Sequence, residues 1–210
     1  PVTALKGALS IVNRLSSDPT LRKYVDIACN SADRLMLLID SMLDLYKMES
    51  GAFKIKLEAT RLDEISRKIM GDLESLSIRK GAPIEADIEE NLTVHVDSVL
   101  FTRLIQNLLD NALRYGRSHF PIQLVVKRSD GGLLISVANV CEALSPEDLV
   151  RIFDKFAQAE LSESGKRQGS GLGLPFCRMV AEAHGGMLEA ESPLPGREDG
   201  IVFRLRVPTS

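Results

Sequence analysis

The sequence of 210 residues contains no tryptophan, and aromatic residues make up only 5% of it. Few aromatic side chains are therefore available for the stacking platforms that single-stranded nucleic acids require. The formal net charge is −3, with 26 basic and 29 acidic residues, which argues against a nucleic-acid partner bound mainly by positive charge on the protein. No stretch reaches the ~18 apolar residues of a membrane span. We expect no nucleic-acid partner and no membrane contact within these residues.

Cysteine is also scarce. Cys29, Cys141 and Cys177 form no C-x-x-C pair, and no histidine lies near them at metal-binding spacing. Small buried thiols in a reducing cytoplasm are the simplest interpretation, so we expect a cytoplasmic location, with any membrane anchor of a full-length protein lying upstream. The hydrophobic fraction of 44% and charged fraction of 26% are ordinary for a globular chain. The length fits one domain with a helical appendage.

Residues 2–50 have helical periodicity with one break at Ser16–Pro19, where Asp18 is a candidate N-cap and Pro19 a candidate first helical residue. Beyond the break, apolar residues recur at alternating spacings of four and three, which is a heptad seam: Leu21, Val25, Ala28, Ala32, Leu35, Ile39, Met42 and Tyr46. Two such helices form a hairpin that cannot bury the seam alone. We predict a homodimer through helices 2–16 and 20–50, as a four-helix bundle. The alternative is a hairpin packed against the rest of its own chain.

After Gly51, a candidate C-cap, the pattern changes to short strands and separate helices. We predict strands at 53–58, 84–88, 93–96, 122–127, 133–138, 187–190 and 202–207, and helices at 62–79, at 98–115 and from near Gly171. The predicted class is α+β, a sandwich of one sheet with helices on one face. The predicted domains are 1–53 and 54–210.

The predicted helix 98–115 carries Asn107 and Asn111 four residues apart on one face, with Arg114 and Tyr115 one turn further on. Asparagine is a mediocre helix former, so two in one helix need a reason. Paired amide oxygens can ligate a hard cation such as Mg²⁺. A solvated helix face is the alternative interpretation.

A glycine cluster, Gly169-Ser-Gly171-Leu172-Gly173-Leu174, precedes an apolar helix. Glycines at a helix N-terminus let backbone N–H groups approach phosphate oxygens. The cluster fits neither the dinucleotide fingerprint nor a P-loop. The polar stretch 153–168 leads into it, and such a long loop is either a mobile lid over a ligand or a tolerated surface insertion.

In this order and spacing, the motifs resemble the catalytic core of bacterial sensor histidine kinases over essentially all 210 residues. The segment Asn107–Tyr115 matches the family's N box, Phe153 and Phe156 match its F box, and Gly169–Leu174 matches its second glycine box. The resemblance implies that 1–53 is a dimerisation and phosphotransfer hairpin. It implies that 54–210 is an ATP-binding catalytic domain with the Bergerat-type α/β sandwich of gyrase and Hsp90.

The resemblance implies ATP and Mg²⁺ as cofactors and assigns roles to site residues. Asn107, the catalytic residue within the chain, and Asn111 would hold Mg²⁺ against the triphosphate. Arg114 and Tyr115 would contact phosphate and ribose, and Asn139 would contact the adenine amino group. Backbone groups of the glycine cluster would hold the phosphates; these are the groups of Gly169, Gly171, Leu172, Gly173 and Leu174. Lys155 and Gln158, from the stretch 153–168, would reach the γ-phosphate.

The family's phospho-accepting histidine lies five residues before a proline, whose place Pro1 occupies. The acceptor is therefore expected upstream of Pro1, and His95, His119 and His184 are not expected to be acceptors. The implied function is that of an ATP-dependent protein-histidine kinase in two-component signalling. Its implied partners are an upstream sensor domain and the receiver domain of a response regulator, whose aspartate takes the phosphoryl group.

The chain departs from the family at the first glycine box, usually D-x-G-x-G, where it has Asn139, Cys141 and Ala143. Asn139 can still accept a hydrogen bond through its amide oxygen. Side chains at 141 and 143 restrict positive φ and the close approach of a nucleotide, so we expect weakened ATP binding. A pseudokinase that acts as a dimeric scaffold is the main alternative. An ATPase or serine kinase on the same fold is disfavoured by the heptad hairpin.

Overall fold

The computed structural model describes residues 4, 7–8, 11–12, 18–49, 54–129, 131–155 and 171–208. The chain divides into two compact units, Pro1–Phe53 and Lys54–Ser210. Within the described ranges, no helix is both long enough and apolar enough to cross a membrane.

The first unit contains the long helix α1, Pro19–Glu49. The predicted cap is confirmed, because Asp18 Oδ1 accepts a hydrogen bond from Thr20 N at 2.8 Å. On the predicted seam, Val25 and Ala32 are buried, whereas five large side chains are exposed: Leu21, Leu35, Ile39, Met42 and Tyr46. Of the predicted helix 2–16, residues 4, 7, 8, 11 and 12 are helical; the others, like Gly51, lie outside the described residues.

The second unit combines helices with two sheets, which confirms the α+β class. Its elements are β1 Glu58–Arg61, α2 Leu62–Lys80, β2 Ile84–Ile88, β3 Thr93–Val96, α3 Ser98–Tyr115, β4 Ile122–Ser129, β5 Gly132–Asn139, α4 Pro146–Arg151, α5 Gly173–Ala183, β6 Met187–Glu191 and β7 Ile201–Val207. Five strands form one sheet in the order β2-β4-β5-β7-β6, in which β2 runs parallel to β4 and the other pairs are antiparallel. Strands β1 and β3 form a separate antiparallel pair.

Two predictions about strands are wrong. Of the described residues 54–58 of the predicted strand 53–58, only Glu58 lies in a strand, and β1 continues to Arg61. The apolar residues before Glu58 alternate as they would in a strand. In the structure, however, Leu57 is exposed, and Lys56 N donates to Asp97 Oδ2 at 3.0 Å instead of to a neighbouring strand. The unit also has two sheets rather than one, because β1 pairs with β3 and not with the larger sheet.

Helices α2, α3 and α5 cover one face of the five-stranded sheet, as predicted. Alternate residues of β5 point into this layer, and Leu133, Ile135 and Val137 are completely buried. The opposite face carries cross-strand ion pairs such as Arg204 with Glu191. Helix α3 is the centre of the core, with eight buried apolar residues: Leu100, Phe101, Leu104, Ile105, Leu108, Leu109, Ala112 and Leu113.

Asp97 joins the start of α3 to the end of α5. Its Oδ1 accepts hydrogen bonds from the N–H groups of Val99 and Leu100, at 3.2 and 3.1 Å, which caps α3. Its own N–H donates to His184 Nε2 at 3.1 Å, and His184 Nδ1 lies 2.8 Å from the Val180 carbonyl oxygen. Both ring nitrogens of His184 are therefore engaged within the fold.

Asp63, in the first turn of α2, is a buried carboxylate with two cationic partners. Its side chain is 1% exposed; Arg61 donates to both carboxylate oxygens, at 2.9 and 2.8 Å, and Arg67 Nη1 lies 3.1 Å from Oδ2. The Arg61 guanidinium holds the pKa of Asp63 well below its usual range. A depressed folded-state pKa stabilises the fold above the unfolded pKa of about 3.9, and this stabilisation is lost as the pH falls through the folded value.

We expect Asp63→Asn to lower the free energy of unfolding at pH 7 by about 1–3 kcal/mol, because charged hydrogen bonds are lost. The difference from wild type should shrink as the pH falls below about 4. Urea unfolding followed by circular dichroism at pH 7 and pH 3 measures both effects. The control is Asp87→Asn, which removes an exposed pair with Lys127. Equal stabilities of the two variants at pH 7 would contradict this account.

Candidate functional site

Helix α3 presents Asn107, Asn111 and Arg114 along one face, because they are spaced by four and three residues. Both asparagines are half-buried, Arg114 is exposed, and Tyr115 beside it is half-buried. The buried stripe of α3 anchors the helix in the core. The amide face is therefore held in a fixed position rather than being a mobile surface.

The N-terminus of α5 faces Asn107. Gly171 has a φ of 66°, a conformation that favours glycine, and Gly173 opens the helix. A Cβ on Gly173 would lie 3.5 Å from Asn107 Oδ1 and 3.6 Å from its Cγ, so it would fill the space beside the amide. Leu172, at the N-cap position, has no side-chain oxygen to cap the first N–H groups. The positive end of α5 and an amide oxygen therefore border the same space.

Cys177 joins the two helices beneath this space. Its thiol donates to the Leu104 carbonyl oxygen at 3.6 Å, and burial raises its pKa to about 12. Beside it, the Arg103 guanidinium lies 4.3 Å from the centre of the Phe176 ring. Because the thiol stays protonated at neutral pH, Cys177 serves packing and not nucleophilic chemistry.

Asn139, the last residue of β5, lies at the C-terminal end of α3. Its side chain is 3% exposed, and its Nδ2 lies 3.6 Å from where a Cβ on Gly116 would be. Among the described residues, the buried side-chain atoms without a hydrogen-bond partner are Nδ2 of Asn111, Nδ2 of Asn139 and, in α2, Oγ of Ser66. Buried amides normally have partners, so the two asparagines mark a place for the polar atoms of a ligand.

The two ends of this site are separated along α3. Asn107 and Gly116 are nine residues apart, which is roughly 14 Å of helix. A ligand lying along α3 would meet the positive end of α5 near Asn107 and the buried amide of Asn139 near Gly116. The site therefore suits an elongated molecule with negative charge at one end and hydrogen-bonding groups at the other.

The segment that follows β5 differs from expectation in its backbone. Cys141 is buried and Ala143 is exposed. In the described part of the chain, the non-glycine residues with positive φ are Asn91 and His119. The expected conflict between a Cβ and a positive φ therefore does not arise at Cys141 or Ala143. The remaining effect of these two residues is the volume that they add.

Of the other predicted site residues, Leu174 is buried in α5, and the rest belong to the polar stretch 153–168 or to Gly169 after it. Lys155 is exposed and follows α4, whereas Phe156, Gln158 and Gly169 lie outside the described residues. The ring of Phe153 stacks edge to face on Phe203, with centroids 6.4 Å apart.

Sequence reasoning missed Gly116, Ser192 and Gly200, which lie around Asn139. Gly116 follows directly after α3 as its C-cap, and Asp199-Gly200 is a turn dipeptide, so both carried a local signal. Ser192 carried none.

Charge at the site comes from few groups. Burial raises the pKa of Asp110, an effect that the neighbouring Arg114 opposes. Within the described ranges, no group of three or more His, Cys, Asp or Glu residues could hold a metal ion. A cation beside Asn107 would therefore be bound by amide oxygens and by the ligand's own oxygens, which suits Mg²⁺.

Comparison with protein families agrees with this geometry. Residues 96–210 match the histidine kinase-, DNA gyrase B-, and HSP90-like ATPases, and residues 1–51 match the His Kinase A (phospho-acceptor) domain. A phospho-acceptor hairpin followed by an ATPase domain of this class is the core of a sensor histidine kinase. The chain belongs to the histidine kinase-, DNA gyrase B-, and HSP90-like ATPase family.

Similar proteins include the sensor protein CzcS of Cupriavidus metallidurans, 32% identical over 99% of this chain. The sensor protein KdpD of Escherichia coli is 33% identical and VanSC of Enterococcus gallinarum 27% identical, also over 99% of this chain. The chain spans 43%, 23% and 57% of the lengths of these three proteins, respectively.

Solved structures share the fold. Full-length ShkA in complex with AMPPNP matches all of this chain and 43% of its own, with a TM-score of 0.83 and 22% identity. The histidine kinase ThkA in complex with the response regulator protein TrrA matches all of this chain and 58% of its own, with a TM-score of 0.66 and 22% identity. At this identity the likeness establishes the fold alone.

Proposed function

We propose that this chain is the ATP-dependent core of a protein-histidine kinase in two-component signalling. In this proposal it phosphorylates a histidine that precedes Pro1, and the phosphoryl group passes to an aspartate of a response regulator. The observation that carries the proposal is the approach of Gly173, at the positive end of α5, to the amide of Asn107. The family match to an ATPase class and the AMPPNP bound to ShkA support ATP as the ligand.

The phosphate end of the ligand lies at α5 in this proposal. Backbone N–H groups near Gly171 and Gly173 bind phosphate oxygens, because the helix end is partly positive and the Leu172 side chain does not cap it. Asn107 and Asn111 hold Mg²⁺ through their amide oxygens. Bound ATP–Mg²⁺ supplies the γ-phosphoryl group, and the protein's contribution is to position it and to neutralise its charge.

The other predicted residues complete the site. Arg114 contacts phosphate and Tyr115 contacts ribose, since both follow Asn111 by about one turn. Asn139 binds the adenine edge: its buried Nδ2, which otherwise lacks a partner, donates to a ring nitrogen, and its Oδ1 accepts from the amino group. Lys155 and Gln158, from the lid segment, reach the γ-phosphate. Leu172 and Leu174 flank Gly173 at the start of α5, and the proposal also assigns a phosphate contact to Gly169, which lies outside the described residues.

The chain needs no strong general base for this chemistry. A neutral imidazole is already a competent nucleophile, so the attacking histidine requires no proton to be removed first. His184 is excluded as the acceptor because both of its ring nitrogens are engaged inside the fold. His95 and His119 also belong to the ATPase unit, which supports an acceptor outside these 210 residues.

The first unit provides dimerisation. The exposed seam residues of α1 require a partner to cover them, and a second copy has the same heptad pattern. In this proposal two hairpins form a four-helix bundle, and a receiver domain docks there to collect the phosphoryl group. The response regulator bound to ThkA supports this partner class. In this proposal the signal enters from an upstream sensor domain, and the need for ATP supports a cytoplasmic location for both units.

One observation favours a second function. Cys141 and Ala143 stand where the family has glycines. In this second function the volume that their side chains add leaves less room for a nucleotide. A dimeric scaffold without kinase activity is the function that this departure supports.

We expect the chain, extended upstream to include its acceptor histidine, to incorporate label from γ-labelled ATP in the presence of Mg²⁺. The phosphohistidine should be acid-labile and base-stable. Asn107→Ala should reduce the labelling rate at least about 100-fold, since electrostatic groups at a transferring phosphoryl contribute on that order.

The matched control is Gln106→Ala, an exposed position one residue along the same helix, which should label at the wild-type rate. Absence of label from a folded dimer would overturn the kinase proposal in favour of the scaffold. Equal labelling of Asn107→Ala and Gln106→Ala would overturn the role of Asn107.

We expect Cys141→Gly/Ala143→Gly to bind ATP–Mg²⁺ about fivefold to tenfold more tightly than wild type, because two side-chain volumes are removed from the site. Isothermal titration calorimetry of the 210-residue chain measures the two dissociation constants. Ala59→Gly, exposed on β1, controls for the flexibility of an added glycine. Equal affinities of wild type and double variant would show that these positions do not restrict the nucleotide.

A further inference from the structure

The loop between β6 and β7, residues 192–200, contacts the segment that follows β5, residues 140–144. The Ser192 hydroxyl makes two hydrogen bonds there: it accepts from Leu144 N at 3.0 Å and donates to the Gly200 carbonyl oxygen at 2.7 Å. The Ser192 side chain thus joins Leu144, at the far end of the segment, to Gly200, directly before β7. A single hydroxyl can do this because it is both a donor and an acceptor.

Gly200 brings the same loop against the beginning of the segment. Its N–H donates to the Cys141 carbonyl oxygen at 2.8 Å. A Cβ on Gly200 would lie 2.9 Å from the Asn139 carbonyl oxygen and 2.5 Å from Leu194 Cδ1, and its φ is 91°. This contact requires glycine.

The loop after α3 holds the segment from another direction. Arg117 N donates to the Val140 carbonyl oxygen at 2.8 Å. The Arg117 side chain also forms an ion pair with Asp199 of the β6–β7 loop, at 2.9 Å. The segment is therefore held at Val140, Cys141 and Leu144 by three separate hydrogen bonds.

These contacts matter because the segment has no regular structure to hold it. Residues 140–145 lie between the end of β5 and the start of α4, and Glu142 and Ala143 are exposed. Asn139, the last residue of β5, directly precedes this stretch, and its Nδ2 is buried without a partner. The backbone on the C-terminal side of Asn139 is therefore positioned by the hydrogen bonds at Val140, Cys141 and Leu144.

We propose that Ser192 is a positioning residue for base recognition: through Leu144 and Gly200 it fixes the segment after Asn139, so that the Asn139 amide meets the 6-amino edge of adenine. Ser192 itself does not touch the nucleotide. This inference rests on the proposed ATP site, and it assigns to that site a determinant of purine specificity that lies 53 residues beyond Asn139 in the chain.

The test compares ATP with inosine triphosphate, which has the same ribose and triphosphate but a carbonyl oxygen in place of the 6-amino group. Titration calorimetry of the 210-residue chain with each Mg²⁺ complex gives two dissociation constants and their ratio. We expect Ser192→Ala to weaken ATP binding about threefold to tenfold and inosine triphosphate binding less, so the ratio moves towards one. Ser192→Thr, which keeps the hydroxyl, should restore the wild-type ratio.

Ser129→Ala is the matched control, because it removes a hydroxyl that bonds to Gly132 O at the opposite end of β5. A merely structural role for Ser192 predicts an equal loss for both nucleotides, or a lower Tm without a change in the ratio. Either result overturns the inference. Should Ser192→Ala fail to fold, Ser192→Cys keeps the size with a much weaker donor and acceptor and makes the same comparison.

Different binding results would overturn the role of Ser192 and the proposed ATP site. If wild type binds ATP and Ser192→Ala binds both nucleotides like wild type, the positioning role is wrong and the ATP site stands. If wild type binds neither nucleotide, the proposed ATP site is overturned and the role of Ser192 with it.

Discussion

The close approach of the α5 N-terminus to Asn107 is the constraint on which the rest of the site depends. Because Gly173 has no side chain, the space beside Asn107 Oδ1 stays open. The helix end contributes partial positive charge to that space, and the amide contributes an oxygen. Phosphate oxygens and a cation can therefore be bound side by side without any acidic metal-ligand cluster.

Contacts within the chain join the two helices that make this approach. Cys177 bonds to α3 directly below the site, and Asp97 joins the start of α3 to His184 after α5. The two helices are thus joined at two places, and the layer that they form packs on the five-stranded sheet. Such a site is preorganised, which is what electrostatic stabilisation of a transferring phosphoryl group requires.

Local signals account for what the sequence could predict. The bounds of α3, Ser98–Tyr115, follow from the Asp97 cap, the apolar spacing and the glycine at 116. The pairing of β1 with β3 depends on residues more than thirty positions apart, and the alternation before Glu58 pointed to the wrong residues. The bridge from Ser192 to Leu144 spans 48 positions and leaves no periodic trace. The asparagine pair was recognisable by its spacing, but a binding face is favoured over a solvated one by the approach of Gly173 and by the buried, unpartnered Nδ2 of Asn111, which the sequence does not show.

Hydrogen–deuterium exchange of the 210-residue chain, with and without saturating ATP–Mg²⁺, tests the central claim most directly. The account predicts slower exchange in residues 139–144 and 171–177, at the two ends of the proposed site, and unchanged exchange in the β1–β3 pair. Unchanged exchange in both of the first two segments, at a nucleotide concentration that saturates binding, would contradict it.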